Sequence, residues 1–151
     1  MKVRLIQQEG QRGIEVTVLS APGDPQAERI VDSLRTAGGK LAAYTSATGV
    51  ERRVVPLSSV SSIKSNDGCA LVQLTDGSLL HSASRLGELE ASLRDTDFVR
   101  VSRQELVNLD NVETIRPEFG SRLVLGLKGG VEAIVSRSYA PQVKACIGIT
   151  R

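Results

Sequence analysis

The chain has 151 residues, enough for one ordinary domain with a small appendage, and 40% of them are apolar. With no Trp, two Tyr and two Phe, its core must be built from Leu, Val, Ile and Ala. A net charge of +2 selects no partner, no run approaches the roughly 18 apolar residues of a membrane span, and the polar start MKVRLIQQEG is no secretory signal, so a cytoplasmic chain without membrane insertion is expected.

The first elements form a β-β-α appendage over residues 1–39. KVRLIQQ and GIEVTVLSA read as two strands, because Ile14, Val16 and Val18 alternate with Glu15 and Thr17 across a Gly-containing turn. A helix follows. Asp24 is a fitting N-cap, Pro25 suits the first helical position, Ile30, Val31 and Leu34 supply an apolar stripe, and Gly38-Gly39 stops it.

Residues 40–151 are dominated by strands. KLAAYTS and ERRVVPLSSVSSIKS alternate, with Pro56 marking a bend or an edge. CALVQLTDGSLLHSA is a hairpin through Asp76-Gly77, a strong short turn signal. SRLGELEASLRD then places Leu86, Leu89 and Leu93 at helical spacing, with Glu88 and Glu90 outward. FVRVSRQELVNLD, NVETIRP and RLVLGLKGGVEAIVS return to strands, the last as a hairpin through Gly129-Gly130. A closing helix in SRSYAPQVKACIGI carries Tyr139, Val143 and Ile147. The pattern predicts a mainly β, α+β fold of antiparallel strands with short helices.

Catalytic constellations are thin. His81 is the single histidine and lies on a strand with no evident acid or nucleophile beside it, so a structural role is expected. GLKGG lacks the helix and the Lys-Ser/Thr pair of a phosphate-cradling loop. Cys69 and Cys146 have no zinc-site or disulfide spacing and read as buried free thiols. No enzyme, metal, cofactor or small-molecule substrate is expected. From Phe98 onward eight Lys and Arg face five acids, a local charge of +3 that suits a phosphate-facing surface as well as a solvated face.

FVRVSRQELVNLD carries the sharpest question. Val99 and Val101 share one face of a strand and Phe98, Arg100 and Ser102 the other, after which Arg103-Gln104 interrupts the alternation. Ser102-Arg103-Gln104-Glu105 fits an S-x-x-E capping box, so a single helical turn with free N–H groups is expected here. Ser-Arg recurs at Ser84-Arg85 and Ser136-Arg137, each where a strand gives way to a helix. Such a helix start with an Arg favours an anion.

The stretch ELEASLRDTDFVRVSRQELVNLDNVETI, continued by RLVLGLKGGVEAIVSRSYAPQVK, resembles the LytTR family of bacterial DNA-binding domains over about Ala43 to Ile149. The shared pattern is F-x-R-V-S-R, V-N-L and V-S-R-x-Y at matching spacings. The resemblance implies an antiparallel β fold that inserts loops, not a recognition helix, into successive major grooves of double-stranded DNA. It implies three contact segments: Lys64, Asn66, Asp67 and Gly68; Arg100, Ser102, Arg103 and Gln104; and Arg137 with Ser136 and Ser138. Ser102 stands where many relatives carry His. Asn108 matches too, but satisfying buried backbone is its expected role. With only the appendage ahead of this region, the resemblance implies a stand-alone transcription regulator and a possible homodimer. The second reading is a protein-interaction module whose charged tips engage another protein.

Overall fold

The computed structural model describes residues 1–148; Ile149, the end of the resembling stretch and of the expected last helix, lies outside the described residues. Helix α1 (Pro25–Ala37) precedes β1 (Lys40–Tyr44), β2 (Arg52–Pro56), a 3-10 turn (Leu57–Ser59), β3 (Val60–Asn66), β4 (Cys69–Leu74) and β5 (Leu79–Ser82). Then come α2 (Leu86–Ser92), β6 (Phe98–Ser102), β7 (Glu105–Asn108), a second 3-10 turn (Leu109–Asn111), β8 (Val112–Glu118), β9 (Arg122–Leu127), β10 (Glu132–Val135) and α3 (Ala140–Ile147). Seven strands form one sheet in the order β2-β1-β5-β4-β3-β7-β6, and three form another in the order β10-β9-β8. Every pairing given for these strands is antiparallel. The mainly β architecture with short helices is the expected one.

Helix α1 starts as its sequence dictates. The Asp24 side chain accepts from Gln26 N at 2.9 Å, Pro25 occupies the first turn, and Gly38 N donates back to Leu34 O. The two strands expected ahead of it do not form among the described residues. Val3, Leu5, Ile6, Ile14 and Leu19 are 80–97% exposed, and neither sheet pairs with them. Alternation alone does not hold a ribbon: two isolated strands without a buried face are marginal in water.

Two cores result, and the β6–β7 pair serves both. Phe98 and Leu106 join Ile63, Val72, Leu74, Leu89 and Leu93 between the large sheet and α2. Val101 and Val107 join Leu125, Val135 and Val143 between the opposite face of β6–β7, the small sheet and α3, with Val99 packed against them. The alternation read from FVRV is therefore the division between cores. Burying one fully enclosed Val or Leu contributes about 1.5–3 kcal/mol, and in this pair such residues serve both cores.

Asn108 and Asn111 tie the cores to the backbone. Asn108 Nδ2 donates to Leu57 O (3.1 Å) and Val60 O (3.0 Å), Asn111 Nδ2 donates to Ser58 O (3.0 Å) and Val60 O (2.8 Å), and both side chains are buried. The structural role expected of Asn108 is what the geometry gives. Asn108→Ala leaves the Leu57 carbonyl without that donor and should lower stability by about 1–3 kcal/mol, read as a shifted denaturant midpoint.

The cysteines correct their expectation, since Cys69 and Cys146 are free and exposed. Cys69 opens β4 on its solvent side, at the end of the β3–β4 hairpin, while Ala70, Val72 and Leu74 take the core positions. His81 is half-buried on β5, opposite Tyr44 and Leu71. Among the described residues no helix is long and apolar enough to cross a membrane.

Candidate nucleic-acid interface

Strand direction brings the three predicted segments to one end of the molecule. β3 and β6 both run towards that end, and β4 and β7 start from it, because Asn66 pairs with Cys69 and Ser102 with Glu105. β3 and β7 are neighbours, with Lys64 opposite Glu105. Ser65 N donates to Gln104 O at 2.9 Å, which fastens the first tip to the second. Ser136 N donates to Val101 O at 2.9 Å, which fastens the turn after β10 to the second tip from the other side. Residues 64–68, 102–104 and 136–138 thus lie side by side. Lys64, Asn66, Asp67, Arg103, Gln104, Arg137 and Ser138 are all exposed there.

The first tip is a tight hairpin. Asp67 and Gly68 have φ of 48° and 82°, the left-handed pair that a two-residue turn matched to strand twist requires. Asp67 thus has a conformational reason to be present, and its carboxylate repels phosphate. Lys64 and Asn66 are the donors of this segment.

The second segment corrects the expectation of a helical turn. Arg103-Gln104 is the two-residue turn of the β6–β7 hairpin, and the chain re-enters the sheet at Glu105. The Ser102 hydroxyl accepts from Gln104 N at 3.3 Å, a turn bond two residues on and not the Glu105 N–H bond of a capping box, and Glu105 pairs across the sheet instead of continuing a helix. Arg103 therefore projects from a hairpin tip. Arg100 stands one pair further back, opposite Leu106, on the Phe98 side of the strand. Its guanidinium lies 3.8 Å from Glu90 of α2 and is 19% exposed, so the structure does not bring it into the group of exposed cations.

The third segment lies where strand β10 gives way to helix α3. Tyr139 N and Ala140 N both donate to Ser136 O at 3.0 Å, which closes a turn that carries Arg137 and Ser138 just ahead of α3. No side chain caps the start of α3, and Pro141 lies in its first turn. With these N–H groups engaged and none on Pro141, the exposed Arg137 side chain is the anion-seeking donor of this segment.

Glu105 is the residue that sequence reasoning missed. Its carboxylate is 3.8 Å from Lys64 Nζ and its side chain is 12% exposed. Burial pushes its pKa above the ordinary 4.5, against the pull of the Lys64 charge. A raised carboxyl pKa favours the folded state at low pH; that advantage is lost as pH rises through the raised value, so at neutral pH Glu105 is a net cost to folding. Glu105→Gln should therefore raise the denaturant midpoint at neutral pH, with the gain vanishing below about 4.5. It should also tighten duplex binding by on the order of 1 kcal/mol, because Lys64 loses its carboxylate neighbour. The only sequence signal for this pairing was the strand order, which one sequence does not print.

Among the described residues no cluster of three or more His, Cys, Asp or Glu is placed to hold a metal ion. The LytTr DNA-binding domain model matches residues 51–148, which include all three segments. The chain belongs to the LytTR family. The Bacillus subtilis sensory transduction protein LytT is 39% identical over 61 residues, 40% of this chain, and the Bacillus cereus LytT is 36% identical over a stretch of the same length. The aligned stretch spans about a quarter of those relatives' length. Among solved structures, the LytTr DNA-binding domain of a Bacillus cereus protein has a TM-score of 0.65 at 24% identity, covering 74% of this chain and 98% of that one. This likeness shows the shared LytTR fold.

Proposed function

We propose that the chain is a bacterial, cytoplasmic, sequence-specific regulator of transcription that inserts the loops at 64–68, 102–104 and 136–138 into successive grooves of duplex DNA. The observation that carries this is the fastening of the three exposed tips side by side by the Ser65–Gln104 and Ser136–Val101 backbone bonds, within a family of DNA-binding domains. Donors held on rigid hairpins can read base edges as a recognition helix does. Selection of bound duplexes from a random pool tests the reading. A recurring sequence is expected; a pool with no enriched sequence would leave the protein-interaction reading in its place.

In this reading residues 1–39 are an appendage that joins two copies on neighbouring sites. The support is chemical: Val3, Val16 and Leu19 line one shallow pocket with Ile30 and Leu34 of α1, and all but Ile30 are exposed large apolar side chains, a patch suited to a partner surface. Deleting residues 1–39 should weaken binding to a double site about tenfold beyond its effect on a single half-site, which paired titrations would measure. Equal losses would reduce the appendage to a cover.

A further inference from the structure

A fourth loop reaches the same end of the molecule. β9 and β10 pair with Val135 opposite Leu123, so the turn that carries Arg137 starts level with Arg122, the first residue of β9. β8 and β9 pair out to Glu118 opposite Arg122, and the hairpin between them turns over Phe119, Gly120 and Ser121. At about 3.3 Å per residue and about 4.8 Å per strand, Phe119 stands roughly 10 Å from the Arg137 turn.

Phe119 is 93% exposed, whereas Phe98, the other phenylalanine of the chain, is 8% exposed in the core. The tip is shaped to hold it outward, since Gly120 and Ser121 have φ of 78° and 63° and the hairpin ends two residues after it. Its acids are engaged. The Glu118 carboxylate is turned back onto Phe119 N at 3.1 Å, and Arg116 and Glu132 form a pair at 2.9 Å, which leaves Arg122 at the base of the tip as an exposed cation. The ring itself is apolar, and beside a basic turn it is suited to a sugar or a base edge.

We infer that Phe119 is a further DNA contact, an apolar surface laid against the deoxyribose and base edges beside the groove that Arg137 enters; this rests on the reading of the chain as a DNA binder. The contact adds affinity without releasing counterions. It therefore differs in kind from the arginine contacts around it.

The chain contains no Trp, so Phe119→Trp places a lone indole at the tip without touching either core. Adding the selected duplex should quench or shift its emission in step with binding. Phe119→Ala should lose about tenfold in affinity, with the slope against log salt and the base preference both unchanged. Emission that stays constant while Phe119→Trp binds the duplex normally would overturn the assignment. So would emission that responds to protein concentration alone, which would give the tip to a second copy. If the unmodified protein bound no duplex at all, the DNA-binding reading would fail and take this contact with it, a result separate from binding that leaves the tip silent.

Discussion

Replacing Arg103 or Arg137 by alanine is expected to cost about 1–3 kcal/mol on the preferred duplex and to relax the choice of base at one position in each case. Both side chains are exposed on rigid tips, with Gln104 O engaged by Ser65 N behind the first and Ser136 N donating to Val101 O behind the second. Held there, a guanidinium can donate two bonds to guanine O6 and N7, a geometry a mobile side chain reaches only at an entropic cost. Arg100→Ala should behave differently. Its side chain lies against Glu90, away from the exposed tips, so any loss should fall on all duplexes alike. Titrations against the preferred duplex, single-base variants and random DNA, with a melting curve for each protein, separate these cases. Folded Arg103→Ala and Arg137→Ala proteins with full affinity and full base preference would sink the groove-reading assignment.

The secondary structure was legible wherever one signal acted alone. Asp24-Pro25 and Gly38 set the limits of α1, and Asp76-Gly77 and Gly129-Gly130 set two hairpins, because each meets a local backbone requirement. Gly129 also admits Thr75 O so closely that a Cβ would stand 2.8 Å from it. Two signals misled for one reason. The N-terminal alternation promised strands and Ser102–Glu105 promised a helical turn, yet strands need a sheet edge and Glu105 had a partner strand in β3. Tertiary pairing decided both, and a local pattern does not contain it.

The candidate site was legible as residues but not as a surface. Lys64, Arg103 and Arg137 are 34 to 73 positions apart in sequence; the family pattern contains the two arginines, and Lys64 was reached by a looser match. What joined them is the insertion of β7 between β3 and β6, together with one backbone bond from Ser136 to Val101. The same topology disclosed Glu105 beside Lys64, where the sequence had suggested only a capping role, and Phe119 near the Arg137 turn, which no motif marks.

Salt should move binding more than any single substitution. Among the described residues, Lys64, Arg103, Arg122 and Arg137 are exposed cations around the grouped tips. If each replaces a counterion on one phosphate, log K falls against log salt with a slope of about −3.6, a loss of roughly a hundredfold between about 50 and 200 mM. Two copies bound side by side double the exponent, to a slope of about −7 and a loss of roughly 10⁴-fold over the same range. The slope on a single half-site against that on a double site therefore counts the copies without reference to any mutant. Glu105→Gln should bring each copy's slope closer to that full value as Lys64 sheds its carboxylate neighbour, and Phe119→Ala should leave it where it was. An affinity that stays flat across this range would exclude the phosphate backbone as the partner of these tips, because no arrangement of four exposed cations on DNA escapes counterion release.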